Sequence, residues 1–237
     1  MSSAQVSSAS ALSAGKSGQV DALPQLVVER ARLMQSLPAG GAMAAVFADE
    51  ARVRDALAPV AGRVSVAAVN APESVVISGD AAAVRATLAT LEAAGLRSKP
   101  LSVSHAFHSP LVTPILSALQ RAAAATRHQP PRLELISNLT GQATPPDQDW
   151  AAYWVRHARE AVRFRDGVAS LAKAGYRVFV EIGPRPTLLG LAEQCVAEGE
   201  TAEDALASIR AAIEACLAPE EEDLIPGDGA QIREVVL

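Results

Sequence analysis

Aromatic residues, cysteines and positive charge are all scarce in this chain of 237 residues. Phe, Trp and Tyr together make up 3%. The two cysteines, Cys195 and Cys216, lie apart and fit neither a zinc nor a redox spacing. That excludes a disulfide-stapled secreted domain and a cysteine-built metal centre, and both read as idle thiols of a reducing, cytoplasmic compartment. Lys and Arg number 21 against 26 Asp and Glu, for a net charge of −5. A chain so charged lacks the basic face that nucleic acid requires. No apolar run reaches the ~18 residues of a membrane span, so no membrane partner is expected. The N-terminus has no early positive region and no continuous apolar core, which argues against a secretion signal. Gly15-Lys16-Ser17 is not a phosphate loop either, because the glycine required at position 10 is Ser10. What remains is 49% hydrophobic and 20% charged, ordinary values for a globular α/β protein, with alanine abundant enough to favour helices. The length suits one domain of two lobes or two small domains.

The chain divides by composition and periodicity. Residues 1–24 are rich in serine and alanine, lack apolar periodicity and read as disordered. Residues 25–40 carry a helix with Leu26, Leu33 and Leu37 on one face, ended by Pro38 and Gly40-Gly41. Residues 41–103 give strand Ala42–Phe47, helix Ala48–Leu57 burying Val53 and Leu57, and strands Val64–Val69 and Ser74–Ser78. The turn Asn70-Ala71-Pro72-Glu73 joins the two strands. A helix follows, capped by Asp80, faced by Val84, Leu88 and Leu91 and closed by Gly95. Strand Lys99–Val103 ends the unit. The order β-α-β-β-α-β predicts a ferredoxin-like subdomain.

Residues 104–197 return to alternating helix and strand. Pro110–Ala125 reads as a helix with Pro114 in its first turn, and Glu134–Ser137 as a short strand. Ala151–Arg156 and Arg165–Ala174 read as helices, Tyr176–Ile182 as a strand of a buried parallel sheet, and the chain from about Thr187 as a helix. Residues 198–237 pair a helical pattern at Ala205, Ile209, Ile213 and Cys216 with an acidic run and read as a linker.

Two of the four histidines stand three positions apart in Ser104-His105-Ala106-Phe107-His108-Ser109-Pro110. A histidine where a strand gives way to a helix is placed to face a cleft. Its charge changes near neutral pH, so it can serve as a general base. His-Ala-Phe-His-Ser-Pro resembles the motif of the malonyl-type acyltransferase domains of modular polyketide synthases. Five other stretches resemble the same family in the same order. They are Arg30-Ala31-Arg32-Leu33-Met34-Gln35, Gly40–Val46, Val69–Gly79, Tyr153–His157 with Val162-Arg163-Phe164, and Val180-Glu181-Ile182-Gly183-Pro184. Together they span about residues 25 to 197 and resemble the C-terminal part of such a domain. The resemblance implies a ferredoxin-like subdomain inserted in an incomplete α/β-hydrolase-like core.

The resemblance also implies roles. The family passes malonyl from malonyl-CoA to a serine, then to the phosphopantetheine thiol of an acyl carrier protein, with no bound cofactor or metal. His108 takes the place of the proton-carrying imidazole. Arg30 takes that of the arginine pairing with the free malonyl carboxylate, which a guanidinium holds through two parallel bonds. Its neighbour Ala31 replaces a usual glycine. His105 and Phe107 take positions tied to extender choice, and Phe107 favours malonyl over a methyl-branched unit. His157 takes a position supporting the catalytic imidazole, and Asn70 one near the substrate channel. His128 reads as a surface residue.

No Gly-x-Ser-x-Gly elbow, the turn that exposes a nucleophilic serine, occurs in the 237 residues. In Gly15-Lys16-Ser17-Gly18-Gln19 a glutamine replaces the last glycine, and Ser17 stands too close to Arg30. No nucleophile is therefore assigned. Two expectations stand side by side. One is an acyltransferase fragment that works when the serine-bearing part and the carrier protein are supplied. The other is a non-catalytic remnant that docks to a carrier protein or to neighbouring synthase domains.

Overall fold

In the computed structural model, which describes residues 22–129, 131, 133–183 and 186–196, one antiparallel sheet organises the middle of the chain. Helix α1 (Ala22–Gln35) comes first, followed by β1 (Gly41–Val46), α2 (Glu50–Leu57), β2 (Val64–Ala71), β3 (Ser74–Asp80), α3 (Ala81–Ala93) and β4 (Ser98–Leu101). The strands lie in the order β2-β3-β1-β4, and all three pairings are antiparallel. Burial alternates along β2, leaving Val64, Val66, Val69 and Ala71 inward, and the register slips twice against β3, between Val66 and Ala68 and between Val69 and Ala71.

Side-chain chemistry explains the borders of these elements. The Asp49 and Asp80 carboxylates accept from the Arg52 and Ala83 amides at 3.0 and 2.9 Å, capping α2 and α3. At the end of α3, Gly95 takes φ +76°. Its amide donates to the Glu92 carbonyl, and the Leu96 amide to that of Leu91, each at 2.9 Å, so the last turn is closed by a left-handed residue. Gly79 is required by contact: a Cβ there would stand 2.1 Å from the Arg63 carbonyl oxygen. One core gathers Val46, Val53 and Leu57 with Val66, Val69, Ile77, Val84 and Leu91, joining sheet to α2 and α3.

The remaining elements are α4 (Leu116–Ala125), α5 (Trp150–Arg159), α6 (Phe164–Lys173) and α7 (Leu189–Val196). Leu26, Leu33, Met34 and Leu37 of the α1 region pack with Val112, Ile115, Leu119 and Ala158 in a second core. Phe164, Val168 and Ala192 form a third. Val162 ties this part to the sheet: it donates to the Ala67 carbonyl at 2.9 Å and accepts from the Val69 amide at 2.8 Å. No helix among the described residues is long and apolar enough to cross a membrane.

Several expectations are corrected. Helix α1 starts at Ala22, inside the segment 1–24 expected to be disordered; residues 1–21 and the tail pattern at Ala205, Ile209, Ile213 and Cys216 lie outside the described residues. Strand β2 runs through Asn70 to Ala71, so the hairpin turn is only Pro72-Glu73. Strand β4 stops at Leu101, its last partner being Met43, and Val103 is left exposed. Pro110–Ile115 is a 3-10 helix preceding α4, because Pro114 lacks the amide that would continue an α-helix backwards. Glu134–Ser137 contributes only an isolated bridge between Ile136 and Ala143. Tyr176–Ile182 is no strand: among the described residues no strand pairs with it, and Val178, Val180 and Ile182 face outward.

Candidate active site

The turn after β4 is built around Ser109. Its buried hydroxyl donates to the Ala106 carbonyl at 2.7 Å and accepts from the Leu111 amide at 3.2 Å, capping the 3-10 helix. Ala106 lies against Gly41, where a Cβ would meet the Ala106 methyl at 2.5 Å. Held between these contacts, His108 takes φ +56°, among the described residues the only non-glycine at positive φ. Such backbones cost energy and gather at working sites.

The Glu160 carbonyl, at the end of α5, lies 2.8 Å from His108 Nδ1. A carbonyl only accepts, so Nδ1 carries the hydrogen and Nε2 keeps its lone pair. The His157 ring meets the His108 ring edge-on, with centroids 5.8 Å apart at 83°. His157 is buried, stacks on Tyr153 at 5.6 Å and meets Trp154 at 5.8 Å. Its Nδ1 has no hydrogen-bond partner among the described residues.

Both imidazoles are kept neutral. Desolvation is the main cause for His108, pushed down to about 4, and the Arg30 charge adds to it against the opposing pull of the Glu160 and His157 carbonyls. His157 is pushed down to about 3, by burial first and then by His108 and Arg30. The Arg30 guanidinium, on α1, is itself desolvated. Among the described residues no carboxylate pairs with it. A half-buried cation beside a neutral imidazole, with no counter-ion among the described residues, is a place for an anionic ligand.

The structure thus brings His108, His157 and Arg30 together. His105 and Phe107 form a neighbouring pair, ring centroids 6.2 Å apart. His105 is buried, and its Nε2–H donates to the Leu37 carbonyl at 3.2 Å, which ties the turn to the end of α1. Phe107 packs on the second core. Asn70 stands in β2, where its carbonyl accepts from Cys195 Sγ of α7 at 3.3 Å. His128 is half-buried, with its Nε2–H donating to the Ala123 carbonyl and its ring stacked on Trp150.

Sequence reasoning missed Glu160. It acts through its backbone carbonyl, and a backbone acceptor leaves no trace in residue identity. A cleft of about 450 Å³ lies beside the turn that follows α5, lined by Arg54, Arg159, Glu160 and Arg163 among others. Neither His108 nor Arg30 lines it, so polar geometry marks the site rather than cavity volume. The described residues hold no group of three or more His, Cys, Asp or Glu suited to a metal ion.

Comparison with known proteins gives one consistent result. The acyl transferase domain family matches residues 7–216. The chain is 48% identical over 175 residues to polyketide synthase GfsA of Streptomyces halstedii, covering 73% of this chain and 2% of that protein. It is 49% identical over 176 residues to the phenolphthiocerol synthesis polyketide synthase Pks15/1 of Mycobacterium bovis, covering 74% and 8%. The acyltransferase domain of the second module of the salinomycin polyketide synthase superposes with a TM-score of 0.73 at 44% identity, covering 79% of this chain and 47% of that one. Malonyl-CoA:acyl carrier protein transacylase of Xanthomonas oryzae superposes with a TM-score of 0.71 at 30% identity, covering 80% and 64%. The chain therefore spans a small fraction of the synthases and about half of the solved polyketide synthase domain.

Proposed function

Because this chain belongs to the acyl transferase domain family, we propose that it supplies the proton-carrying and carboxylate-binding half of a malonyl transfer from coenzyme A to an acyl carrier protein. The observation that carries this reading is the His108 geometry: Nδ1–H bound to the Glu160 carbonyl, Nε2 free, and a counter-ion-free Arg30 acting on the same ring.

The chemistry needs a hydroxyl, and the sequence holds no Gly-x-Ser-x-Gly. A serine from a complementing part of the domain gives its proton to His108 Nε2 as its oxygen bonds to the thioester carbonyl carbon. Collapse breaks the carbon–sulfur bond, and Nε2–H returns the proton to the departing coenzyme A thiolate. The carrier's phosphopantetheine thiol then repeats the sequence in reverse. A neutral imidazole is required at the start of each half, and burial secures it. Arg30 pairs with the free carboxylate of malonyl, so an acetyl group would leave the guanidinium unpaired. Phe107, with His105 behind it, narrows the space beside the acyl C2 and favours malonyl over a branched unit. Asn70 contributes at the channel wall. The unit from β1 to β4 is read as ferredoxin-like on its strand order, within a cytoplasmic synthase.

The test is to co-express the chain with the serine-bearing part of an acyltransferase domain and follow malonyl transfer to a carrier protein by intact mass. Transfer that is lost in H108N supports the reading, and no transfer from a folded, assembled pair sinks it. The second reading is a non-catalytic remnant or docking module for a carrier protein or synthase neighbours. That reading expects carrier binding that survives H108N and no transfer under any complementation.

A further inference from the structure

The atom that orients His108 belongs to a turn, and the turn is poorly packed from behind. Arg159, Glu160, Ala161 and Arg163 all line the 450 Å³ cleft, so solvent rather than side chains fills that side. Polar contacts hold the turn together with Ala161 on the first core and Val162 on the third. Val162 exchanges two hydrogen bonds with β2, and the Arg163 amide donates to the Asn138 carbonyl at 2.7 Å. The Arg163 guanidinium bonds Asp166 of α6 and, at 2.7 Å, Glu50 Oε1 at the start of α2.

Glu50 is the centre of that arrangement. Its carboxylate side chain is 15% exposed and also receives Arg54 at 2.7 Å and Arg165 at 3.7 Å. Against the raising effect of its burial, Arg163 and Arg54 hold its carboxyl below the usual range, so it is charged at neutral pH. Arg54 lies on α2 itself. Among the described residues, Arg163 is the one that connects Glu50 to the turn that begins with the Glu160 carbonyl.

We propose that Glu50 is a positioning residue for His108, acting through Arg163 and the 160–163 turn to keep the Glu160 carbonyl on Nδ1 and so fix the tautomer. The proposal rests on His108 as the proton carrier but adds a residue outside the family motifs named above. Losing the Glu50 charge leaves Asp166 as the carboxylate that holds Arg163. No longer drawn between α2 and α6, the guanidinium swings toward Asp166, and the turn follows it.

The experiment uses the full chain labelled with ¹⁵N-histidine and reads the His108 tautomer by long-range ¹H–¹⁵N correlation. In the wild type the Nδ1–H form should dominate. In E50Q, folded by far-UV circular dichroism, the Nε2–H fraction should rise about threefold or more, while R54A should keep the wild-type tautomer. A folded E50Q with wild-type His108 signals overturns the proposal, and so does an R54A shift equal to that of E50Q. If E50Q does not fold, R163K decides. One ammonium cannot span Glu50 and Asp166 as the guanidinium does, so a shifted tautomer supports the link and an unshifted one refutes it. The readout needs no turnover. If a completed domain transfers no acyl group, the functional reading fails while the tautomer result stands.

Discussion

Acidification should destabilise this protein through two identified groups. His108 and His157 are neutral when folded, held down to about 4 and about 3, whereas an unfolded histidine titrates near 6.5. Between those values the unfolded chain binds protons that the folded chain refuses. Stability is therefore complete above pH 6.5 and falls as the pH drops, levelling near 4 for His108 and near 3 for His157. Each neutral imidazole costs about 1.4 kcal/mol per pH unit in that window. By pH 5 the loss is roughly 2 kcal/mol for buried His157 and somewhat less for His108, which keeps part of its surface open. Buried or paired carboxylates add little above pH 5, because Glu50, raised by burial but held lower by Arg163 and Arg54, stays ionised there.

Urea unfolding followed by circular dichroism at pH 7, 6.5, 6, 5.5 and 5 measures this directly. The wild type should lose between about 3 and 4 kcal/mol from pH 7 to 5, with an unchanged denaturant slope. H157N should lose about half as much, since it removes one of the two groups. H108N should do the same, and asparagine tolerates the positive φ at that position. A wild-type loss under about 1 kcal/mol, or an H157N variant with the full pH dependence, would refute the claim that both rings are desolvated and neutral.

In a completed domain, R30A should cut kcat/KM for malonyl-CoA about 30-fold or more while sparing acetyl-CoA, and it should raise the His108 pKa, because the Arg30 charge is one cause of its depression. Equal losses for both acyl groups would remove Arg30 from carboxylate binding. G79A should destabilise by about 3 kcal/mol or more, because the Arg63 carbonyl lies 2.1 Å from the new Cβ and β2 must part from β3. G190A is the contrast: none of the described residues stands within 4 Å of its Cβ in α7, so thermal melting should find it neutral or more stable. V180K/I182K should lower self-association in light scattering and change stability by less than about 0.5 kcal/mol, as both side chains stand in solvent.

The parts legible in the sequence were those written in short-range chemistry. Asp80 three residues before an acceptable amide, Gly95 past the last turn, and Val53 with Leu57 four apart each obey a rule spanning a few positions, and each sits where that rule puts it. His108 was legible because a side chain does its chemistry. Its oriented state was not, since the Glu160 carbonyl stands 52 positions away and any residue could offer it. The Glu50–Arg163 pair was hidden for a similar reason: it joins residues 113 positions apart, and nothing local distinguishes Glu50 from any helix-starting glutamate.

The segment Tyr176–Ile182 shows where local pattern and structure part. Its apolar content reads as a buried strand, yet its exposure still follows a strand's rhythm of two. Phe179 packs on the third core and Glu181 turns toward α7, its carboxylate accepting from the Leu188 and Leu189 amides at 2.9 and 3.0 Å. Val178, Val180 and Ile182 point the other way, at 46%, 68% and 88% exposure. The alternation is intrinsic to an extended chain, whereas pairing requires a neighbour with free amides and carbonyls at about 4.8 Å. None of the described residues provides one. A sequence can therefore specify that this stretch is extended, and which side chains lie on each face, without specifying that it becomes a strand; the second property belongs to whatever lies beside it.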